Sequence, residues 1–262
     1  MGIEDINNAA AAMNALTARM NQFVGDADAQ IASRRNAYDA IAADLEGIVN
    51  TRMYFTAFVD PDEPNPTGGD GGTFNLLADA IDASPAGCFL HITIASGKTH
   101  RVINNTSLNS RSIFVISGAG DTKPIVEFTV GTSETHNIVR GFGFSYGGGS
   151  INFVSCDIVI AEKGDENLSW TASPAPMLYA PAAMVRVGLY RCSLTGPVDT
   201  ALASAYTATR VDISVYDCTI DTCKLVLRAG GGVVLISQAA VTLLNGAALT
   251  DAGTIGVNML QN

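Results

Sequence analysis

The sequence predicts a mainly β chain: a parallel β-helix, or solenoid, preceded by an α-helical coiled-coil segment. Three observations predict it. One short phrase recurs between Ile151 and Val241, residues 3–50 carry apolar side chains at steps of three and four, and a run rich in Pro and Gly separates the two regions. Strand-rich units repeating at a period of 20 to 50 residues cannot each bury an apolar face alone, so they stack on one another.

The phrase reads Ile151-x-Phe153-Val154-x-Cys156-x-Ile158. It returns as Val187-x-Leu189-Tyr190-x-Cys192-x-Leu194 and as Ile213-x-Val215-Tyr216-x-Cys218-x-Ile220, with an echo at Val234-x-Ile236-Ser237-x-Ala239-x-Val241. The apolar period is two, as in a strand, but its phase switches once per phrase. Successive strand side chains point to opposite faces, so one flat strand cannot aim both sets inward. A corner between Phe153 and Val154 resolves the conflict. Coils about 4.8 Å apart then form columns: Phe153 on Leu189 on Val215, Cys156 on Cys192 on Cys218, and Ile158 on Leu194 on Ile220.

With its Gly-rich corners and the segment Asn137-Ile138-Val139-Arg140-Gly141-Phe142-Gly143-Phe144, the phrase resembles the right-handed β-helix of the pectin-lyase-like group. Taken with the N-terminal segment, the chain resembles bacteriophage tail fibres and tailspikes. The likeness covers roughly residue 72 onward. It implies a right-handed coil, a trimer, and a place in a virion.

Residues 3–50 read as helix. Ile6, Ala9, Met13, Leu16, Met20, Phe23 and Ala27 step by three and four, as do Ile31, Arg34, Tyr38, Ile41, Leu45 and Ile48. Two steps of four between Phe23 and Ile31 form a stutter in a coiled coil. Gly25-Asp26 at that place offers a helix break as the competing account. Met13, Leu16, Met20, Phe23, Ile31, Tyr38, Ile41, Leu45 and Ile48 are the expected oligomer seam. Two separate helices packing on another protein are the alternative.

Met53 to Val59 reads as a strand. Residues 60–72, with three prolines and four glycines, exclude helix and central strand and read as a linker. The expected organisation is a helical oligomerisation and attachment segment (1–52), a strand and linker (53–72) and a capped β-helix (73–262). A second helix is expected from Thr73, its cap, to Ala83, with Leu77, Ala80 and Ile81 on one face, closing the open end of the coil. Strands follow at Phe89–Ile94, Ile113–Ile116, Ile125–Val130 and Ile138–Phe144, with Gly147-Gly148-Gly149 as a corner. The long interval between Cys156 and Cys192 places a loop at 162–184, with Trp170 and Tyr179 as candidate recognition residues. The competing reading packs both rings back on the coil or on a neighbouring subunit.

The chain has 262 residues, a formal net charge of −10 and only 15% charged residues. No Lys/Arg cluster is present, which excludes nucleic acid as a ligand. No apolar run reaches the length of a membrane span. The N-terminus lacks a basic-then-apolar signal region, so synthesis in a host cytoplasm is expected. The five cysteines read as small buried hydrophobes. Cys218 and Cys223 have no histidine nearby to complete a metal site. No cofactor is predicted.

The pectin-lyase-like resemblance implies enzymes that cut or eliminate across glycosidic bonds. Hydrolysis needs two carboxylates about 5 to 9.5 Å apart. Asp157 and Asp217 stand on the outward parity, with Asp212 and Asp221 nearby in sequence. Asp217 is expected to pair with Arg191 on the preceding coil, and Asp157 stands opposite Ser193 and Thr219. The sequence therefore favours a non-enzymatic virion component that binds itself and other virion proteins, with a bacterial surface glycan as a further partner. A polysaccharide depolymerase is the alternative.

Overall fold

The computed structural model describes residues 2–144, 148–171, 174–179, 184–205, 210–228, 233–251 and 258–261. The chain divides into two compact units, residues 1–50 and 51–262. It is mainly β, with parallel strands in a curled sheet and one long N-terminal helix.

The helix runs from Ile3 to Met53 without interruption, 51 residues, or about 76 Å at 1.5 Å per residue. It passes through Gly25-Asp26 unbroken, so the helix break considered at that place does not occur. Glu4 and Asp5 lie in its first turn, where acidic side chains oppose the positive helix end.

In the second unit each pass of the chain contributes to up to three series of parallel strands. The first series stacks Tyr54–Val59, Phe89–Ile94, Ser112–Ser117, Gly149–Val154, Met184–Tyr190 and the first half of Arg210–Asp221. The second stacks Thr99–Val102, Ile125–Phe128, Asp157–Ile160, Ser193–Thr195 and the second half of Arg210–Asp221. Arg210–Asp221 and Val233–Leu244 run through both series and join them in one sheet. The third series stacks Thr106–Ser107, Phe142–Phe144, Met177–Tyr179, Ala201–Ala205, Lys224–Arg228 and Ala248–Thr250. Among the described residues one strand pair is antiparallel, Val130–Thr132 with His136–Val139.

Register explains why this sequence folds so. Leu90, Ile113, Ile151, Val187 and Ile213 are direct cross-strand partners, as are Ile92, Val115, Phe153, Leu189 and Val215, and all are buried. Val126, Ile158, Leu194 and Ile220 do the same in the second series. Side chains from all three series meet in one apolar cluster. Within it Phe128 meets Phe142 and Phe153 edge-on, at 5.6 and 6.4 Å between centroids. A slip of one residue would expose every one of these side chains.

The corner lies after Val154, not before it as the sequence suggests. Val154 stays in its strand and faces outward, and the chain turns at Ser155. Ser155, Arg191, Asp217 and Ala240 adopt φ of 57°, 56°, 55° and 54°. One left-handed residue lets Phe153 and Cys156, three positions apart, both point inward. The turn keeps its inter-strand bonds, since Ser155 N donates to Tyr190 O at 2.8 Å and Arg191 N to Tyr216 O at 2.9 Å. The echo phrase is also out of register: Ala239 pairs with Tyr216, and Val241, not Ala239, lies beside Cys218.

Other expected boundaries shift for local reasons. Tyr54–Val59 sits between Gly72–Phe74 and Phe89–Ile94. The Pro/Gly run is thus a loop between two strands of one sheet and not a linker between units. It is held by Thr56 N to Asp70 Oδ1 (2.7 Å) and Gly71 N to Thr56 O (2.8 Å). The short helix begins at Leu77, because Thr73 is committed to the Gly72–Phe74 strand and bonds Thr67. It buries Leu77, Ala80 and Ile81. Two short stretches of the 162–184 segment are built into sheets: Ser169–Trp170 pairs with His136–Asn137, and Met177–Tyr179 joins the third series. Gly147 lies outside the described residues.

Candidate functional site

The outward face of the first strand series carries three adjoining recesses. Strand alternation fixes which side chains stand there. Tyr54 and Phe89 are cross-strand partners whose rings stack at 5.4 Å and 9°, and Phe114 lies 5.2 Å from Phe89. Farther along, Tyr190 and Tyr216 are direct partners, stacked at 5.6 Å and 12°. The Tyr216 hydroxyl lies 2.8 Å from Ser237 Oγ, which ties the second ring to the next pass.

Between these rings the face dips. A recess of about 560 Å³ is lined by Phe114, Val154, Tyr190, Arg191, Tyr216 and Asp217. Its neighbour, about 330 Å³, shares Phe114 and is lined by Ser150, Asn152, Arg186, Asp212 and Ser214 among others. A third, about 240 Å³, shares Ser150 and Arg186. The shared residues make them one trough. On the same strand face the backbone is crowded at Gly188, where a Cβ would stand 2.2 Å from Asn152 Oδ1 and 2.7 Å from Tyr190 Cε2.

The polar groups of the trough are largely engaged with one another. Ser112 and Ser150 hydroxyls are 2.6 Å apart. Asp212 accepts from Arg210 Nε at 2.7 Å and lies 4.0 Å from Arg186 Nε, its cross-strand partner. No ion pair joins Arg191 to Asp217; their backbones are left-handed and turn the side chains away from strand alternation. Asp157 accepts a bond from Ser193 Oγ at 2.8 Å.

Phe153, Leu189 and Val215 are successive partners inside the core, as are Ile158, Leu194 and Ile220. Cys156, Cys192 and Cys218 follow the same offsets. Ser193 N donates to Cys156 O, Thr219 N to Cys192 O, and Cys192 N to Cys218 Sγ at 3.4 Å. All five cysteines are free and buried. Burial pushes the Cys156 and Cys223 thiols up to about 12. The contact with Cys218, then burial, raises Cys192, and the same contact makes Cys218 the more acidic of the pair.

Trp170 packs one side on the apolar cluster and lines a recess of about 390 Å³ with Glu162, Lys163, Glu166, Val198 and Asp199 among others. Lys163 Nζ stands 6.0 Å from its ring centroid. The Tyr179 side chain lies outside the described residues. On the long helix Met13, Leu16, Met20, Phe23, Ile31, Tyr38, Ile41 and Leu45 are all exposed, from 54% to 74%. The Ile48 side chain is outside the described residues.

The outward aromatics were missed at the level of sequence. The signal was present: Tyr190 and Tyr216 hold the same slot of the recurring phrase, next to a core Leu or Val. Assigning that slot to the interior hid them. Comparison with protein-family models, with curated proteins and with solved structures returns no match.

Proposed function

We propose that this protein is a non-enzymatic structural component of a bacteriophage virion appendage, of tail-fibre or tailspike type. Its N-terminal helices associate as a parallel coiled coil, three chains together, and fix the assembly to other virion proteins. The stacked strands form a right-handed parallel β-helix that serves as a rigid shaft facing the virion or the host surface. The trimer, the hand and the virion setting rest on the resemblance to tail fibres and tailspikes.

The observation that carries the reading is the apolar stripe on the helix. Eight large apolar side chains stand more than half exposed on one uninterrupted helix. At about 1.5 kcal/mol or more for each side chain fully buried, their association yields on the order of 8 kcal/mol per chain. Multiplied over three chains, that exceeds the low end of the ~4–15 kcal/mol cost of each association step. An anionic membrane surface is a poor alternative partner for a chain of net charge −10.

Sizing of the purified chain tests this. A multiple of 27.2 kDa is expected at micromolar concentration, three-fold for the trimer. Leu45→Asp, which puts a charge in the stripe, should return monomers with the β signal intact. A native chain that sizes as a monomer would sink the proposal. Detection of the chain in purified particles tests the virion setting.

A further inference from the structure

We infer that the outward face of the first strand series, beginning at Tyr54 and Phe89, is a second subunit contact, turned toward the same face of other copies of this chain. The inference rests on association through the helix and names a second place where the copies meet.

Three observations carry it. The first is continuity. The helix ends at Met53, 63% exposed, and Tyr54, 45% exposed, follows it as the first residue of the strand. Consecutive Cα atoms are about 3.8 Å apart, so an assembly that brings the helix ends together starts the first strands beside one another. Within the strand unit Tyr54, Phe58 and Phe89 stand exposed, and the Tyr54, Phe89 and Phe114 rings lie in contact one after another.

The second is charge. The first four strands of the series, Tyr54–Val59, Phe89–Ile94, Ser112–Ser117 and Gly149–Val154, each present three outward positions: 54, 56 and 58; 89, 91 and 93; 112, 114 and 116; 150, 152 and 154. None of these holds Lys, Arg, Asp or Glu, although the chain carries 15 basic and 25 acidic residues. Depletion of charge with enrichment in aromatic rings marks the core of an interface, and charge returns at its rim. Here it returns at Arg186, Asp212 and Arg210, farther along the same face and already paired.

The third is area. Four strands about 4.8 Å apart and six residues long cover roughly 400 Å², half of the ~800 Å² per partner in a stable interface. The face therefore reinforces a helical assembly and does not hold copies together by itself.

The test uses the full chain. The native thiols are buried, so a cysteine introduced by Phe89→Cys, or by Tyr54→Cys in a second variant, is the accessible thiol for pyrene maleimide. Excimer emission is expected from both variants, and none from Thr195→Cys on the exposed side of the second series. Phe89→Glu should keep the multimer at neutral pH but lower the urea concentration at which it dissociates. A multimer on sizing with no excimer at either position overturns this inference and leaves the helical association standing. A monomer on sizing removes both. Monomer-type emission that changes when bacterial polysaccharide is added assigns the face to a glycan and also overturns it.

Discussion

Arg191 and Asp217 occupy the same place on consecutive passes of the chain, each holding a left-handed backbone, φ 56° and 55°, with Arg191 N bonded to the carbonyl that precedes Asp217. The left-handed region costs a residue with a Cβ about 1–2 kcal/mol, offset in glycine by its larger loss of freedom, about 0.5–1 kcal/mol. Arg191→Gly should therefore raise stability by about 0.5 kcal/mol. Arg191→Val, β-branched at the same φ, should lower it by more than 1 kcal/mol. Urea midpoints at fixed protein concentration check both, and a stabilising valine would refute the account of the corner.

That corner marks the limit of what sequence showed. Mainly β character, parallel pairing and a long helix were legible, because Ile151, Val187 and Ile213 recur in one slot and the helix alternates by three and four. The turn itself was not, because Ser155, Arg191, Asp217 and Ala240 share no side-chain chemistry. What unites them is a backbone angle. The outward trough was hidden for a related reason: placing the turn between Phe153 and Val154 sent Val154, Tyr190 and Tyr216 to the wrong face. The two-residue slip at Ala239 followed from matching side-chain size where inter-strand bonding decided the register.

Phe153 lies at the middle of its column and meets Phe128 edge-on at 6.4 Å. Phe153→Ala removes a fully buried ring and leaves a cavity among residues that cannot close over it, since strand spacing fixes the gap. The expected loss is about 3–5 kcal/mol, with Phe153→Leu costing clearly less. Denaturant unfolding of the two variants decides it; equal losses would mean that the site collapses freely.

Thiol reactivity separates access from acidity. Cys156 and Cys223, at about 12, are neutral thiols at pH 8, whereas Cys218 is drawn down by Cys192 but only 4% exposed. Ellman's reagent should find essentially no fast thiol in the native protein and five after unfolding. Any slow native reaction should begin at Cys218 and disappear in Cys218→Ala. Rapid native labelling of Cys156 would contradict the packed interior.

Asn137, fully buried, holds the loop that precedes Trp170. Its amide donates to Asp165 O at 2.8 Å and Leu168 O at 2.9 Å, and its oxygen accepts from Asp165 N at 3.1 Å. Asn137→Ala leaves these loop groups without partners, at about 1–3 kcal/mol. The expected signature is local: faster proteolytic cleavage within 162–168 at unchanged overall secondary structure. Cleavage at the wild-type rate would show that the loop is held elsewhere.

His100 sets an acid-side sensitivity. Its ring is buried beside the apolar cluster, with Nε2 3.0 Å from Ala95 O. A carbonyl only accepts, so Nε2 carries the proton, and Nδ1 is left buried without a partner. Burial lowers its pKa below 6.5, against weaker upward pulls from the Ala95 carbonyl and Asp60. The folded chain thus binds this proton less readily than the unfolded chain. The stability tied to neutral His100 is fully present above 6.5 and is lost as pH falls below it. The urea midpoint should drop between pH 7.5 and pH 5.5. In His100→Leu, whose side chain matches the Val126 and Ile158 beside it in that column, the drop should be smaller. Parallel declines in the two proteins would assign the sensitivity to other groups.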